Sequence, residues 1–314
     1  MPEAVGVDVG GTKILSGLVA ADGSVLRTDL RSTPPDPEDL VEAIIAAVVA
    51  LGGREGGGQL PVGCGFPALV TRDGVTRYGP NITLREHPLR DTMQDRLGTP
   101  HVVVENDASA ATWAEFAVGA GRDVRDSMVM YTLGTGVGGG LILDRRLHRG
   151  ANGFAGELGH AVIIVGGEPG PSGVDGELEA YSSGTAMARM ARQAHADGRF
   201  AGTPLEGEEP PTGQALTAAA RQGVEPAVEV LATAGRYLGI AAAGLVNALD
   251  PEMIVVGGGA ADAGDLILDP ARRALAAHLL GAEHRPEVPL VPALLGPDAG
   301  MVGVALLALE AARG

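Results

Sequence analysis

The chain has 314 residues, 45% hydrophobic and 20% charged, enough for two domains of ordinary size. A formal net charge of −16 argues against a nucleic-acid or anionic-membrane partner. Cys64 is the only cysteine, which excludes an intrachain disulfide and any multi-cysteine metal site.

The elements open with a meander. Ala4–Val9 reads as a strand, Gly10–Lys13 as a turn, Ile14–Val19 as a strand, Ala21–Gly23 as a turn and Ser24–Arg31 as a third strand. No basic n-region precedes the first strand, so no signal peptide is expected. Pro37, Glu38 and Asp39 open a helix with apolar residues at Leu40, Ile44, Ala47 and Val48. A strand follows at Pro61–Gly65, then a loop or hairpin over 68–81 around Asp73-Gly74, and a helix over about 84–97. The strand His101–Val104 ends in Glu105-Asn106-Asp107, and a helix begins near Ala108.

The second half restarts the plan. Met128–Leu133 is a strand, Gly134-Thr135-Gly136 a turn, Gly138–Leu143 a strand, Asp144-Arg145-Arg146 a turn, and Leu147 starts a third short stretch. The order strand, Gly/Thr turn, strand, polar turn, strand thus occurs twice, about 120 residues apart, which predicts two related α/β lobes with a cleft between them. Helices are expected over roughly 177–196, 213–222, 225–249 and 265–280, interrupted by the strand Met253–Val256, which runs into Gly257-Gly258-Gly259. Residues 203–212 read as an exposed loop. No segment reads as long enough to span a bilayer, since the most apolar helix candidate, Ile240–Ala248, is short and contains Asn247.

Backbone N–H groups cradle phosphate oxygens only where no side chain blocks the approach, so glycine is the expected lining. Three glycine turns, each at a strand end, meet that need: Asp8-Val9-Gly10-Gly11-Thr12-Lys13, Gly134-Thr135-Gly136 and Gly257-Gly258-Gly259. Any one alone reads equally well as a tight hairpin. Of 23 basic residues Lys13 is the only lysine, a weak pointer to a place where arginine would not substitute. Gly6 to Lys13 misses the Walker order because Thr12 precedes Lys13, and the G-x-G-x-x-G starting at Gly134 lies between two strands, not before a helix.

Asp107, at a strand end and a helix start, is either an N-cap or a carboxylate base that accepts a hydroxyl proton during phosphoryl transfer. Asn106 beside it both donates and accepts hydrogen bonds. Glu157, His160 and Glu179 are each ordinary surface or structural residues singly; clustered with amides they are equipment for orienting a polyol.

In this order the pieces resemble the ROK family of sugar kinases and repressors, with its actinobacterial glucokinases nearest. The matching segments are Gly6–Lys13, Val104–Ala108, Thr132–Gly140, Gly156–His160, Glu179–Gly184 and Ile254–Gly259, together with Leu295-Gly296, Asp298-Ala299-Gly300 and Val302-Gly303 near the C-terminal end. The resemblance implies two ribonuclease-H-like lobes of the actin and hexokinase type: residues 1–112 with 298–314 as the small lobe and 113–297 as the large one. It implies ATP-dependent phosphorylation of a hexose hydroxyl, with glucose first and another hexose or N-acetylhexosamine second. Asp107 would be the base, and Asn106, Asp107, Glu157, His160 and Glu179 would hold the sugar. Gly10, Gly11, Thr12, Lys13, Thr135 and Gly136 would bind phosphate. Gly257, Gly258 and Gly259 would lie on the adenosine side, and Asp8 would hold Mg²⁺ through water. A cytoplasmic homodimer or homotetramer is implied as well. The alternatives are a sugar- or nucleotide-binding homologue that has lost catalysis, and a DNA-binding repressor, which the acidic charge and the lack of an N-terminal helix-turn-helix oppose.

The family usually carries a zinc-binding Cys-x-Cys-Gly-x-x-Gly-Cys stretch whose cysteines join a histidine. Here the stretch reads Gly170-Pro171-Ser172-Gly173-Val174-Asp175-Gly176-Glu177. No zinc site is expected, and His160 is expected to lose the bond that fixes its tautomer. Ala68 also stands where the family commonly has glycine after Phe66-Pro67.

Overall fold

A computed structural model describes residues 2–52, 60–79, 83–207 and 211–313. The chain separates into two compact units: Met1–Asp123 with Gly140–Gly156 and Leu295–Gly314, and Val124–Gly139 with Glu157–Leu294. The anticipated division at residue 112 falls within a helix that stays whole in the first unit.

The first sheet has the order β3-β2-β1-β4-β7. β1 (Glu3–Val9), β2 (Lys13–Ala20) and β3 (Val25–Ser32) form the expected antiparallel meander, and β4 (Val62–Phe66) and β7 (Val102–Asn106) extend it in parallel. Helix α1 (Pro37–Ala50) begins where the sequence places it, because the Asp36 carboxylate accepts from the N–H groups of Glu38 at 2.8 Å and Asp39 at 3.2 Å. The hairpin around Asp73-Gly74 is β5 (Leu69–Val70) and β6 (Thr76–Tyr78); residues 80 and 81 of its expected span lie outside the described residues. Helix α2 (Leu89–Leu97) starts later than expected, immediately after Pro88, and ends at Gly98 in the left-handed region with φ 67°. Val5, Val7 and Val9 of β1 bury one face of the sheet in a core with the apolar residues of α1 and α2.

The other face meets α9 (Ala299–Ala311), a helix that sequence reading did not anticipate. It is buried on all sides from Ala299 to Leu309, so it has no polar face and no amphipathic period. A Cβ on Gly6 would overlap the Met301 carbonyl, one on Gly63 the Val304 carbonyl, and one on Gly303 the Ala110 carbonyl of α3 (Asp107–Val118). These glycines let α9 lie backbone against backbone on the sheet and on α3.

The second sheet, β10-β9-β8-β11-β12, repeats the plan. It contains β8 (Met128–Leu133), β9 (Val137–Leu143), β10 (Arg146–Leu147), β11 (Met253–Gly257) and a strand not anticipated, β12 (Leu290–Pro292). The helix expected over 177–196 is two: α4 (Glu179–Ser182) and α5 (Gly184–Ala196), separated by Ser183, whose extended backbone and side chain cap α5. α6 (Gly213–Arg221), α7 (Glu225–Leu249) and α8 (Asp265–Ala277) follow. α7 runs 25 residues, as expected, but it is long and apolar enough by composition to cross a membrane, against the expectation that no segment is. Its apolar stripe is instead packed on α8, where Gly235 and Gly239 meet the Ile267 and Ala271 carbonyls, while Glu229 and Arg236 stay exposed. In the loop expected at 203–212, Leu205 is buried, and 208–210 lie outside the described residues.

Candidate active site

In the first unit the loop after β1 is a tight turn. The Gly10 N–H donates to the Lys13 carbonyl at 2.8 Å, the Thr33 hydroxyl to the Gly10 carbonyl at 2.6 Å, and the Thr33 N–H to the Thr12 carbonyl at 3.1 Å. Lys13 opens β2 with its side chain exposed. Asp8, on β1, carries its carboxylate beside two glycines: a Cβ would sit 3.5 Å from Oδ1 on Gly65 and 2.7 Å from Oδ2 on Gly300, at the start of α9. Burial pushes the Asp8 pKa up to about 7; the charge of Asp107 adds to the shift and that of Lys13 opposes it. A half-buried carboxylate repelled by the charge of a second one is a place where a divalent cation is favoured, so the donor set fits Mg²⁺.

The strand-to-helix junction shows which residue caps α3. Asn106, not Asp107, is the N-cap: its Oδ1 accepts from the Ser109 N–H at 2.9 Å. Its Nδ2 donates to the carbonyl of Ala68 at 3.4 Å. Asp107 is the first helical residue, and its Oδ1 accepts from the adjacent Ala108 N–H at 2.8 Å. Burial drives the Asp107 pKa upward, against the lowering effect of the Ala108 and Asp107 N–H groups. The capping duty therefore falls on the neighbour, and Asp107 is left as a half-buried carboxylate with a raised pKa, whose charge acts on Asp8.

In the second unit the Gly134–Gly136 turn is held by α4 and α5. The Gly134 N–H donates to the Gly136 carbonyl at 2.9 Å, the Gly184 N–H to the Gly134 carbonyl at 2.8 Å, and the Thr185 hydroxyl to the Thr135 carbonyl at 2.8 Å. Glu179 accepts from the Val137 N–H at 2.6 Å, and a Cβ on Gly136 would overlap that carboxylate. Glu179 is thus tied to the glycine turn as well as being a candidate sugar ligand. In the third turn only Gly259 has open space where a Cβ would stand. Gly257 is packed on Met130 and Ala293, and Gly258, at φ 85°, lies against the Leu133 backbone.

Glu157 precedes, and His160 ends, a single 3₁₀ turn, Leu158–His160. His160 Nε2 lies 3.8 Å from a Glu157 oxygen, and Nδ1 lies 2.9 Å from Oε2 of Glu177, which is 0% exposed. Oε2 of Glu177 also accepts from the Ser172 hydroxyl at 2.7 Å, and Oε1 from the Ser172 N–H at 3.1 Å. The expectation that His160 has lost its orienting bond is therefore wrong: Glu177, in the segment where the resemblance implied zinc, supplies one. Sequence reading missed this, because the acceptor at 177 meets its donors at 172 and 160 only once the loop is folded. Burial disfavours the His160 imidazolium, but the Glu177 hydrogen bond and the charges of Glu177, Glu179 and Glu157 outweigh it and hold its pKa above the ordinary value. The loop offers no thiolate, and among the described residues no group of three His, Cys, Asp or Glu is placed to hold a metal ion, so the donor set does not fit tetrahedral zinc.

The sequence profile of the ROK family matches residues 4–311. The chain belongs to the ROK family. It is 42% identical over 316 aligned residues to the glucokinase of Streptomyces coelicolor, with 98% of this chain and 97% of that enzyme covered. A ROK family glucokinase from Streptomyces griseus, solved in complex with glucose and AMPPNP, superposes with a TM-score of 0.86 at 41% identity, covering 98% of this chain and 99% of that one. The ROK hexokinase from Thermus thermophilus superposes with a TM-score of 0.81 at 34% identity, covering 99% and 100%. The chain accordingly has the α/β fold of ROK sugar kinases, the actin and hexokinase type, as the sequence implied.

Proposed function

We infer that this protein is a sugar kinase that moves the γ-phosphoryl group of ATP onto a hexose hydroxyl, with glucose as the first acceptor. The observation that carries the reading is the half-buried, mutually repelling Asp8–Asp107 pair, with the charge of Lys13 acting on Asp8, in a chain this similar to glucokinases along its whole length. Asp107 acts as the base: a carboxylate whose proton affinity burial has raised takes a hydroxyl proton more readily than an ordinary one. Asp8 would hold Mg²⁺, whose charge neutralises phosphate oxygens when bound. The turns at Gly10–Lys13 and Gly134–Gly136 offer backbone N–H groups to phosphates, and Gly257–Gly259 the adenosine side. Asn106, Glu157, His160 and Glu179 orient the sugar by hydrogen bonds to its hydroxyls. The same reading carries a cytoplasmic homodimer or homotetramer.

Glucose and a panel of other hexoses and N-acetylhexosamines, assayed by coupled ADP release with Mg²⁺, test this directly. Turnover with glucose supports the reading. Folded protein that binds ATP calorimetrically yet turns over none of the panel would instead be a binding protein.

A further inference from the structure

The segment from Gly170 to Glu177 builds a small receptor around one carboxylate. The Glu177 backbone is fixed by a bridge to Val162, by the Leu178 N–H donating to the Ala161 carbonyl at 3.0 Å, and by the Gly176 N–H donating to the Glu168 carbonyl at 2.8 Å. Its side chain is fully buried, and a Cβ on Gly170 would overlap Oε1, so glycine at 170 makes room for this carboxylate. Burial opposes ionisation of Glu177, but the bonds from Ser172 and His160 outweigh it and keep its pKa below the ordinary carboxylate value. An ionised carboxylate only accepts hydrogen bonds. The Ser172 hydroxyl, the Ser172 N–H and His160 Nδ1 must all therefore donate to it, which puts the imidazole proton on Nδ1.

The consequence lies on the opposite edge of the ring. In neutral His160 Nε2 then has a lone pair and no proton. It faces a Glu157 oxygen at 3.8 Å, too far for a direct hydrogen bond. Nε2 is thereby an acceptor suited to a hydroxyl donor. A metal on Nδ1 would have the reverse effect: the proton would sit on Nε2, and the ring would present a donor.

We propose that the Glu177 carboxylate, seated by Gly170 and Ser172, is the positioning group for His160, occupying the place of a metal and making Nε2 a hydrogen-bond acceptor for a sugar hydroxyl. The sugar part of this inference rests on the sugar-kinase reading; the tautomer and the absence of a metal do not.

Long-range ¹H–¹⁵N spectroscopy of the imidazoles tests it on the full chain at alkaline pH, after incubation with zinc sulfate and gel filtration. Wild-type His160 should show a protonated Nδ1 and an unprotonated Nε2, with no stoichiometric zinc by elemental analysis. In Glu177→Gln, an amide N–H₂ must meet one of the three donors. The His160 signals should shift toward a mixed tautomer, and the KM for glucose should rise by about tenfold, with kcat changing less. Glu177→Asp, which keeps the charge, should recover the wild-type tautomer and part of the KM. An Nε2-protonated wild-type ring, one zinc per chain, or a folded Glu177→Gln protein with unchanged spectrum and unchanged KM would each overturn the proposal. If Glu177→Gln does not fold, the wild-type spectrum and metal content still decide it. Failure of every sugar in the assay would count against the kinase reading and leave those two readouts standing.

Discussion

Replacing Asp8 by asparagine should stabilise the resting protein and disable it. Burial and the charge of Asp107 raise the Asp8 pKa from 3.8 to about 7. A shift of about three pH units corresponds to about 4 kcal/mol of differential interaction between the two protonation states. The sign follows from proton binding: the native state holds this proton more tightly than the unfolded chain does. Between about pH 4 and 7 the native state therefore binds more protons, its stability falls as pH rises, and the whole cost is present above pH 7. Asp8→Asn removes the charge at nearly constant shape. Urea unfolding of the nucleotide- and Mg²⁺-free proteins should show the variant more stable at pH 8, by as much as about 4 kcal/mol, with the difference shrinking toward pH 4. Mg²⁺ should stabilise the wild type more than the variant. Phosphoryl transfer should fall by at least about a hundredfold, since the substitution removes the charge and, on the proposed reading, the carboxylate that would hold Mg²⁺. A variant no more stable than wild type at pH 8, or a difference independent of pH, would refute the argument that Asp8 is held at an electrostatic cost for function.

Asp107→Asn should lower kcat by about a hundredfold or more while leaving glucose affinity, measured calorimetrically, within about threefold; a normal rate would reduce Asp107 to a helix residue. Because both carboxylates are raised, the acid limb of the kcat/KM profile should lie above the ordinary carboxylate range, activity being lost as pH falls through it; a limb near pH 4 would contradict this. Gly136→Ala would displace the Glu179 carboxylate from the Val137 N–H, and the loss of one charge-assisted bond should raise the KM for ATP by roughly tenfold; an unchanged KM would separate that turn from the nucleotide. Gly63→Ala would drive a methyl into the Val304 carbonyl of α9, so thermal unfolding should report a loss of about 1–3 kcal/mol, and an unchanged midpoint would show that α9 yields freely.

The elements legible in the sequence were those with a period or a punctuation mark. The meander of β1 to β3 showed as alternating apolar runs between glycine turns, and α1 announced itself through Pro37 and its two acids. α9 did not, because a helix buried on every side carries no polar stripe to set its period. Its glycines were visible as a family likeness, but their packing use on the sheet and on α3 is a matter of three-dimensional contact. The site shows the same limit. Asp8, Asn106, Asp107, Glu157, His160 and Glu179 were all named from spacing and resemblance, yet the division of labour between Asn106 as cap and its neighbour required the backbone. Glu177 was invisible as a partner for His160 because the bond spans 17 residues and replaces a ligand of another chemical kind.

The central claim is tested most directly by glucose-dependent ADP release from ATP and Mg²⁺ in the purified full chain, read beside Asp107→Asn under the same conditions. Stoichiometric formation of glucose phosphate by the wild type, with the variant reduced about a hundredfold or more, is the expected result. Folded, ATP-binding wild type that forms no phosphorylated sugar from glucose or any other hexose would contradict it.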